Sequence, residues 1–213
     1  MENFQIIFED PQFAVLSKSA GVAIQSLEYT IHPEIEQHFQ GKSILIVNRI
    51  DQPVSGIFIL AFSDFAERDL RLQFENQIAK KTYVAICEND IGEKGRLDHL
   101  LLKVGNKSKV TNDSAGKPSS LSYQRFGKSD RYFGYFIQLH TGRFHQIRTQ
   151  MAHAGACIKG DLKYGAKRSH PGGGICLHSY QLEVNHPQTQ ERLKFSATPP
   201  QDSLWDYFKT LLP

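Results

Sequence analysis

Little in this sequence ties the chain to a membrane, a disulfide framework or a metal. Its 213 residues hold only three cysteines, two methionines and one tryptophan. Cys87, Cys157 and Cys176 are odd in number and scattered, so they give neither a disulfide framework nor zinc-knuckle spacing. A reducing, cytoplasmic setting is the simplest expectation. The longest uninterrupted apolar run, Ile57 to Phe62, falls far short of the roughly 20 residues that span a bilayer. The N-terminal Met-Glu-Asn-Phe lacks the basic and apolar regions of a secretory leader, so no membrane partner is expected. His178 and His186 lie eight apart and His153 stands alone, without the spacing of an H-E-x-x-H site. Gly172 to Gly174 lacks the lysine of a phosphate-binding loop, and no G-x-S-x-G places Ser55 in a nucleophile elbow. Neither a metal nor a cofactor is expected.

Hydrophobic residues make up 40% of the chain, enough for one substantial core, and a single domain over residues 1–213 is expected. The formal net charge is only +3, but it is unevenly spread. Residues 1–41 hold one cation, Lys18, against six carboxylates, a net of −5. Residues 94–128 carry a net of +6 and residues 140–170 a net of +5. Such asymmetry suits a surface facing a polyanion, although solvated loop cations would give the same count.

The hydrophobic pattern places short strands at Phe13–Ser17, Ser43–Val47, Gly56–Ala61, Lys81–Ile86 and Tyr132–His140, with a closing pair at Leu177–Val184 and Arg192–Ala197. Asp64-Phe-Ala-Glu67 reads as a capping arrangement. Ala66, Leu70, Phe74 and Ile78 follow at four-residue spacing, which predicts an amphipathic helix to about Ile78. Further helices are expected over Tyr29–Gln40, where Pro33 limits an early start, over Phe144–Ala154 and over Ser203–Leu212. Gly105 to Ser120 reads as a surface loop or loose hairpin. Strands outnumber helices without a βαβ rhythm, so the expected class is α+β, with a mixed, mostly antiparallel central sheet and flanking helices.

Two polar segments interrupt this pattern. In LIVNRIDQPVSGIFIL (Leu45–Leu60), Arg49 and Asp51 sit between two apolar runs. Residues two apart in an extended segment point the same way, and Ser55-Gly56 lets the chain pass closely. A carboxylate here can be a nucleophile or a general base. A structural ion pair that fixes the turn is the alternative. In LHTGRFHQIRTQMAHAG (Leu139–Gly155), Arg143, His145, Gln146 and Arg148 crowd the start of the expected helix. Exposed backbone N–H groups and two arginines at such a place suit an anion.

Together these segments resemble the RluA family of pseudouridine synthases. The family's H-R-L-D-x-x-T-S-G-L stands here as Asn48-Arg49-Ile50-Asp51-Gln52-Pro53-Val54-Ser55-Gly56-Ile57. Its T-G-R-x-H-Q-I-R-x-H appears as Thr141 to Gln150, and its G-D-x-x-Y-G as Gly160-Asp161 with Tyr164-Gly165. Lys80-Lys-Thr-Tyr83 matches its K-x-Y strand, and Leu177-His178 and His186-Pro187 match its closing elements. Asn48, Val54 and Gln150 depart from the family's usual histidine, threonine and histidine. The separate small RNA-binding domain of many family members is not expected here.

The resemblance implies a monomeric enzyme that isomerises uridines in structured RNA, transfer or ribosomal. By it, Asp51 is the catalytic aspartate, Arg148 pairs with Asp51, and Tyr83 stacks on the target uracil and assists proton removal. Arg49 contacts RNA and helps hold the strand open, and Arg143, His145, Gln146, Lys107 and Lys109 complete the RNA-binding set. The chemistry is consistent with these roles. An aspartate in a pocket dry enough to hold a detached base needs a partner cation to stay ionised, and an arginine stays charged at any working pH. Unstacking the base costs a few kcal/mol, which RNA contacts must offset. Two rival readings remain open at this point: a catalytically idle RNA-binding protein of the same fold, and an aspartate-based phosphohydrolase.

Overall fold

The computed structural model describes residues 3–24, 31–171 and 173–212. In chain order the elements are strands β1 (Phe4–Glu9) and β2 (Phe13–Lys18), helix α1 (His32–His38), strands β3 (Leu45–Ile46) and β4 (Ser55–Ala61), helix α2 (Asp64–Glu75), strands β5 (Lys80–Cys87), β6 (Lys94–Val104), β7 (Lys107–Thr111), β8 (Lys117–Lys128) and β9 (Phe133–Leu139), helix α3 (Gln146–His153), a 3-10 turn (Leu162–Tyr164), strands β10 (Leu177–Asn185) and β11 (Arg192–Ser196), and helix α4 (Ser203–Lys209). The class is the expected α+β with mostly antiparallel pairing. The chain forms two compact units, Met1–Lys81 with His178–Pro200, and Thr82–Leu177 with Gln201–Pro213.

In the first unit the strand order is β1-β2-β4-β10, with β11 on β10 and β3 on β4. Among the described residues its pairs are antiparallel, except β4 with β10, which is parallel. All seven residues of β4 are buried, as a continuous apolar run requires when both faces of a strand are covered. Ile57 and Ile59 pack with Phe13, Val15, Leu182, Val184 and Phe195, and with Ala66 and Leu70 of α2. Burying each large side chain of this set contributes roughly 1.5–3 kcal/mol.

Helix α2 starts one residue earlier than the capping pattern suggests. Ser63, in extended conformation, is the N-cap and accepts from the Ala66 N–H, while Asp64 and Glu67 lie in the first turn, where the helix dipole favours them. The helix also ends sooner than the spacing predicts. Gln77 takes a left-handed φ of 61°, and Ile78 beyond it is 43% exposed instead of lying on the buried stripe. Helix α1 carries Pro33 in its first turn, as proline allows. Its expected start at Tyr29 lies outside the described residues. Strand β3 is shorter than the run Ser43–Val47, and β1 is a strand the pattern did not reveal.

In the second unit the order is β5-β9-β8-β6-β7. The polar stretch from Gly105 to Ser120 is strand for much of its length. Val104 pairs with Lys107 across a two-residue turn in which Gly105 has φ 57°. Strand β7 ends the order, with Lys107 and Lys109 exposed and Ser108 buried between them. Lysines on an outer strand keep it from pairing further, which is why the stretch reads as loop. Strand β5 is buried from Tyr83 to Cys87, so both faces are covered despite its alternating sequence.

Helix α3 begins at Gln146, two residues later than expected, because His145 adopts a left-handed φ of 52°. Ile147 and Met151 are buried, and Ala154 is the C-cap. Helix α4 is capped by Asp202, which accepts from the Leu204 and Trp205 N–H groups, and it buries Trp205 and Phe208. Cys87 and Cys176 are buried, and Cys157 is half-buried. Among the described residues no helix is long and apolar enough to cross a membrane.

Candidate active site

The expected site residues are divided between the units. Arg49 and Asp51 belong to the first; Tyr83, Lys107, Lys109, Arg143, His145, Gln146 and Arg148 belong to the second.

In the first unit, Asp51 stands on the turn that leads into β4. Val47 N–H still donates to Ile59 O at 3.1 Å, but the Ile59 N–H is taken by the Asn48 side-chain oxygen at 2.7 Å. Asn48 thus completes the backbone pairing where β3 ends, and the chain is released into the polar turn. Arg49 is exposed, Ile50 buried and Asp51 half-buried. The turn closes with Val54 N–H donating to Asp51 O at 3.0 Å. Val54, where the family has threonine, is 2% exposed.

The entry to β4 is braced from β10. Ser55 Oγ lies 2.8 Å from His178 Nδ1, and His178 Nε2 lies 3.0 Å from Ala197 O. A carbonyl only accepts, so Nε2 carries a proton toward Ala197 O. At Gly56, φ is +105° and an added Cβ would lie 2.3 Å from Ser179 O. A glycine is needed here for its backbone angle and for the close approach of β10. The sequence reading of Ser55-Gly56 as a place of close passage therefore holds.

Beneath the turn lies Lys18, a residue the sequence reading did not single out. It is 1% exposed, and its ammonium donates to the carbonyls of Ser19, Gln52 and Val54. Burial pulls its pKa from 10.5 down to about 7, with the charge of Asp51 opposing the shift.

In the second unit, Arg148 is 4% exposed and forms a two-point pair with Asp161, itself 1% exposed. The guanidinium carbon stands 4.9 Å from the centre of the Tyr164 ring. The Tyr164 hydroxyl accepts from Ser108 N–H and is hydrogen-bonded to His145 Nδ1, each at 2.8 Å. A guanidinium, a carboxylate, a phenol and an imidazole thus tie α3 to the 3-10 turn and to β7. Asp161 and Tyr164 appear in the sequence only as part of the G-D-x-x-Y-G match, and no spacing rule assigns them a role.

Gln146 is 3% exposed, and its amide is fully engaged. It donates to Ser120 O and Gln150 Oε1, and its oxygen accepts from Thr141 Oγ1 and Arg143 N–H. These four bonds use every donor and lone pair of the amide. Gln146 thus braces the Thr141–Gly142–Arg143 turn. His145, 9% exposed and bonded to Tyr164, is held in the same way. Gln150, fully buried where the family often has histidine, extends the brace to Leu97 O, His99 Nδ1 and Ser119 O. What reaches solvent here is cationic and aromatic: Lys103, Lys107, Lys109 and Arg143 are exposed, and Phe144 is 41% exposed. Tyr83 on β5 is 8% exposed.

Comparison with known proteins identifies the family of the chain. Residues 12–153 match the family described as RNA pseudouridylate synthase. The chain is 29% identical over 225 residues to tRNA pseudouridine synthase C of Yersinia pestis, with 91% of this chain and 85% of that protein covered. It is 28% identical over 221 residues to ribosomal large subunit pseudouridine synthase D of Zymomonas mobilis, covering 93% and 70%. In fold it is similar to human RNA pseudouridylate synthase domain containing 4, with a TM-score of 0.80, 18% identity, and 96% and 92% of the two chains covered. The chain belongs to the RNA pseudouridylate synthase family, and is an isomerase of that kind.

Proposed function

We propose that this chain converts uridine to pseudouridine in structured RNA, transfer or ribosomal, and that Asp51 opens the reaction. The observation that carries the reading is the family match over residues 12–153, which spans Asp51, Tyr83 and Arg148. The names of the Yersinia and Zymomonas relatives support the two RNA classes.

The reaction is an isomerisation. The bond from ribose C1′ to N1 breaks, the base turns, and C1′ joins C5. The proton leaves C5 and N1 gains one, so neither water nor an electron acceptor is consumed. Asp51 can begin by attacking the sugar, attacking the base, or removing a sugar proton; each needs the carboxylate ionised. Arg148 is the cation proposed to keep it so, since an arginine does not titrate at working pH. Asp161 engages two of its five N–H donors and fixes the plane of the group. Tyr83 is proposed to stack on the uracil and to help remove the C5 proton. Arg49, Arg143, Lys107 and Lys109 are the proposed phosphate contacts, with Gln146 and His145 as braces behind them. The whole chain acts in this reading as one catalytic domain, a cytoplasmic monomer without metal or cofactor. The idle RNA-binding reading rested on Asn48 and Val54, and Asn48 has a structural role in the Ile59 bond.

The test is release of tritium from transfer and ribosomal RNA transcripts labelled at uridine C5. Release coupled to pseudouridine formation is the expected result, and no release from either RNA class would overturn the assignment.

A further inference from the structure

Phe144 stands between Arg143 and His145 at the entry to α3, and it keeps 41% of its surface in solvent. Neighbouring side chains in a strand or a helix point apart. Here His145 takes a left-handed φ of 52°, and the two rings stack instead, with centres 3.8 Å apart and planes 19° from parallel. His145 is itself fixed, by its hydrogen bond to Tyr164 at 2.8 Å and by an edge-on contact with that ring at 5.6 Å. Tyr164 in turn lies against the Arg148 guanidinium. A ring held from behind in this way loses little freedom when a further ring lands on it. His145 covers only one face of Phe144. Lys103 Nζ stands 4.8 Å from the Phe144 ring centre, on an exposed side chain whose flexible stem can swing aside. Arg143 beside it and Lys107, in the same hairpin as Lys103, are exposed as well. A flat apolar face rimmed by cations suits an unpaired nucleobase: the ring stacks on the base and the cations meet its phosphates.

We propose that Phe144 is a stacking platform for an unpaired base that flanks the target uridine. The proposal rests on the reading of function given above. The rings of His145 and Tyr164 separate Phe144 from Arg148, so the base it holds is a neighbour of the uridine being isomerised and not that uridine. Phe144 has no hydrogen-bonding atom in its side chain, so it reads no base edge and takes any base, purines most tightly because they present the larger face. What it adds to recognition is a single-stranded step beside the target. A uridine inside a continuous duplex offers the platform nothing.

The probes are a short single-stranded oligoadenylate and the same ribose-phosphate chain without bases, each end-labelled for anisotropy titrations. Phe144→Leu should lose about tenfold in affinity for the oligoadenylate and nothing for the chain without bases. The salt dependence should stay as it is, because the lost contact is neutral. Phe144→Trp keeps a stacking face and should bind like the unaltered protein or more tightly. Trp205, the chain's own tryptophan, is 1% exposed, so the added indole reports the contact: the oligoadenylate should quench it and the chain without bases should not. Phe144→Leu with unaltered affinity for both probes, or an indole at 144 that the oligoadenylate leaves unquenched, would overturn the proposal. If an altered chain does not fold, photocrosslinking of a 5-iodouridine oligomer to the unaltered protein decides: an adduct on Phe144 is expected, and adducts on other residues alone would overturn the platform. Absence of tritium release by the unaltered protein would instead remove the reading of function, and the oligonucleotide affinities would still judge the platform.

Discussion

Arg148 and Asp161 meet as a buried two-point ion pair, Nε to Oδ2 at 2.7 Å and Nη2 to Oδ1 at 2.8 Å. Neither reaches more than a few per cent exposure, so each depends on the other for its charge to be tolerated. Asp161→Asn leaves a buried guanidinium without its counter-charge and should destabilise the protein by about 3–5 kcal/mol. Replacing both residues together with well-packed apolar ones should cost less than that single change. Urea unfolding of the single and double variants checks both statements, and a single variant within about 1 kcal/mol of the unaltered protein would contradict them.

Asp51→Asn keeps the shape of the side chain and removes its charge. The rate of pseudouridine formation should fall by several orders of magnitude or more, as expected when the central reacting group is lost. RNA affinity should stay within about tenfold, because phosphate contacts carry most of it. A variant with even about a tenth of normal turnover would rule Asp51 out as the opening group.

Tyr83 is proposed to have two jobs, and two substitutions separate them. Tyr83→Phe keeps the stacking face and loses the hydroxyl, so it should bind RNA nearly normally and turn over very slowly. Tyr83→Ala should also weaken binding, by roughly 1–3 kcal/mol for the lost stacking. Affinity and single-turnover rate measured side by side decide the matter. Near-normal turnover in Tyr83→Phe would leave Tyr83 as a stacking platform at most.

RNA affinity should fall steeply as salt is raised, because exposed cations are proposed to displace counterions from phosphates. Arg143→Ala should flatten the dependence by about one unit, and changing Lys107 and Lys109 to alanine together by about two, if each makes one contact. Fluorescence anisotropy titrations at several salt concentrations give these slopes. An affinity indifferent to salt would refute the phosphate contacts.

The sequence by itself determined the class of fold and the family. Apolar runs such as Ile57 to Phe62 form strands because they must be buried, and the order of the motifs from Asn48 to His186 is a property of the chain alone. It also placed α2, α3 and α4 to within a few residues. The tertiary structure decided what spacing cannot show. Lys18 looks like any strand-end lysine until the carbonyls of Gln52 and Val54, more than thirty residues away, close on it. Gln146 looks like a donor facing solvent until Thr141, Ser120 and Gln150 take up its amide. Asp161 gains its role from an arginine 13 positions earlier. Hydrogen bonds between segments distant in sequence leave no periodic trace. Whether a polar side chain near a motif meets RNA or braces the fold therefore depends on which distant atoms the folded chain sets beside it.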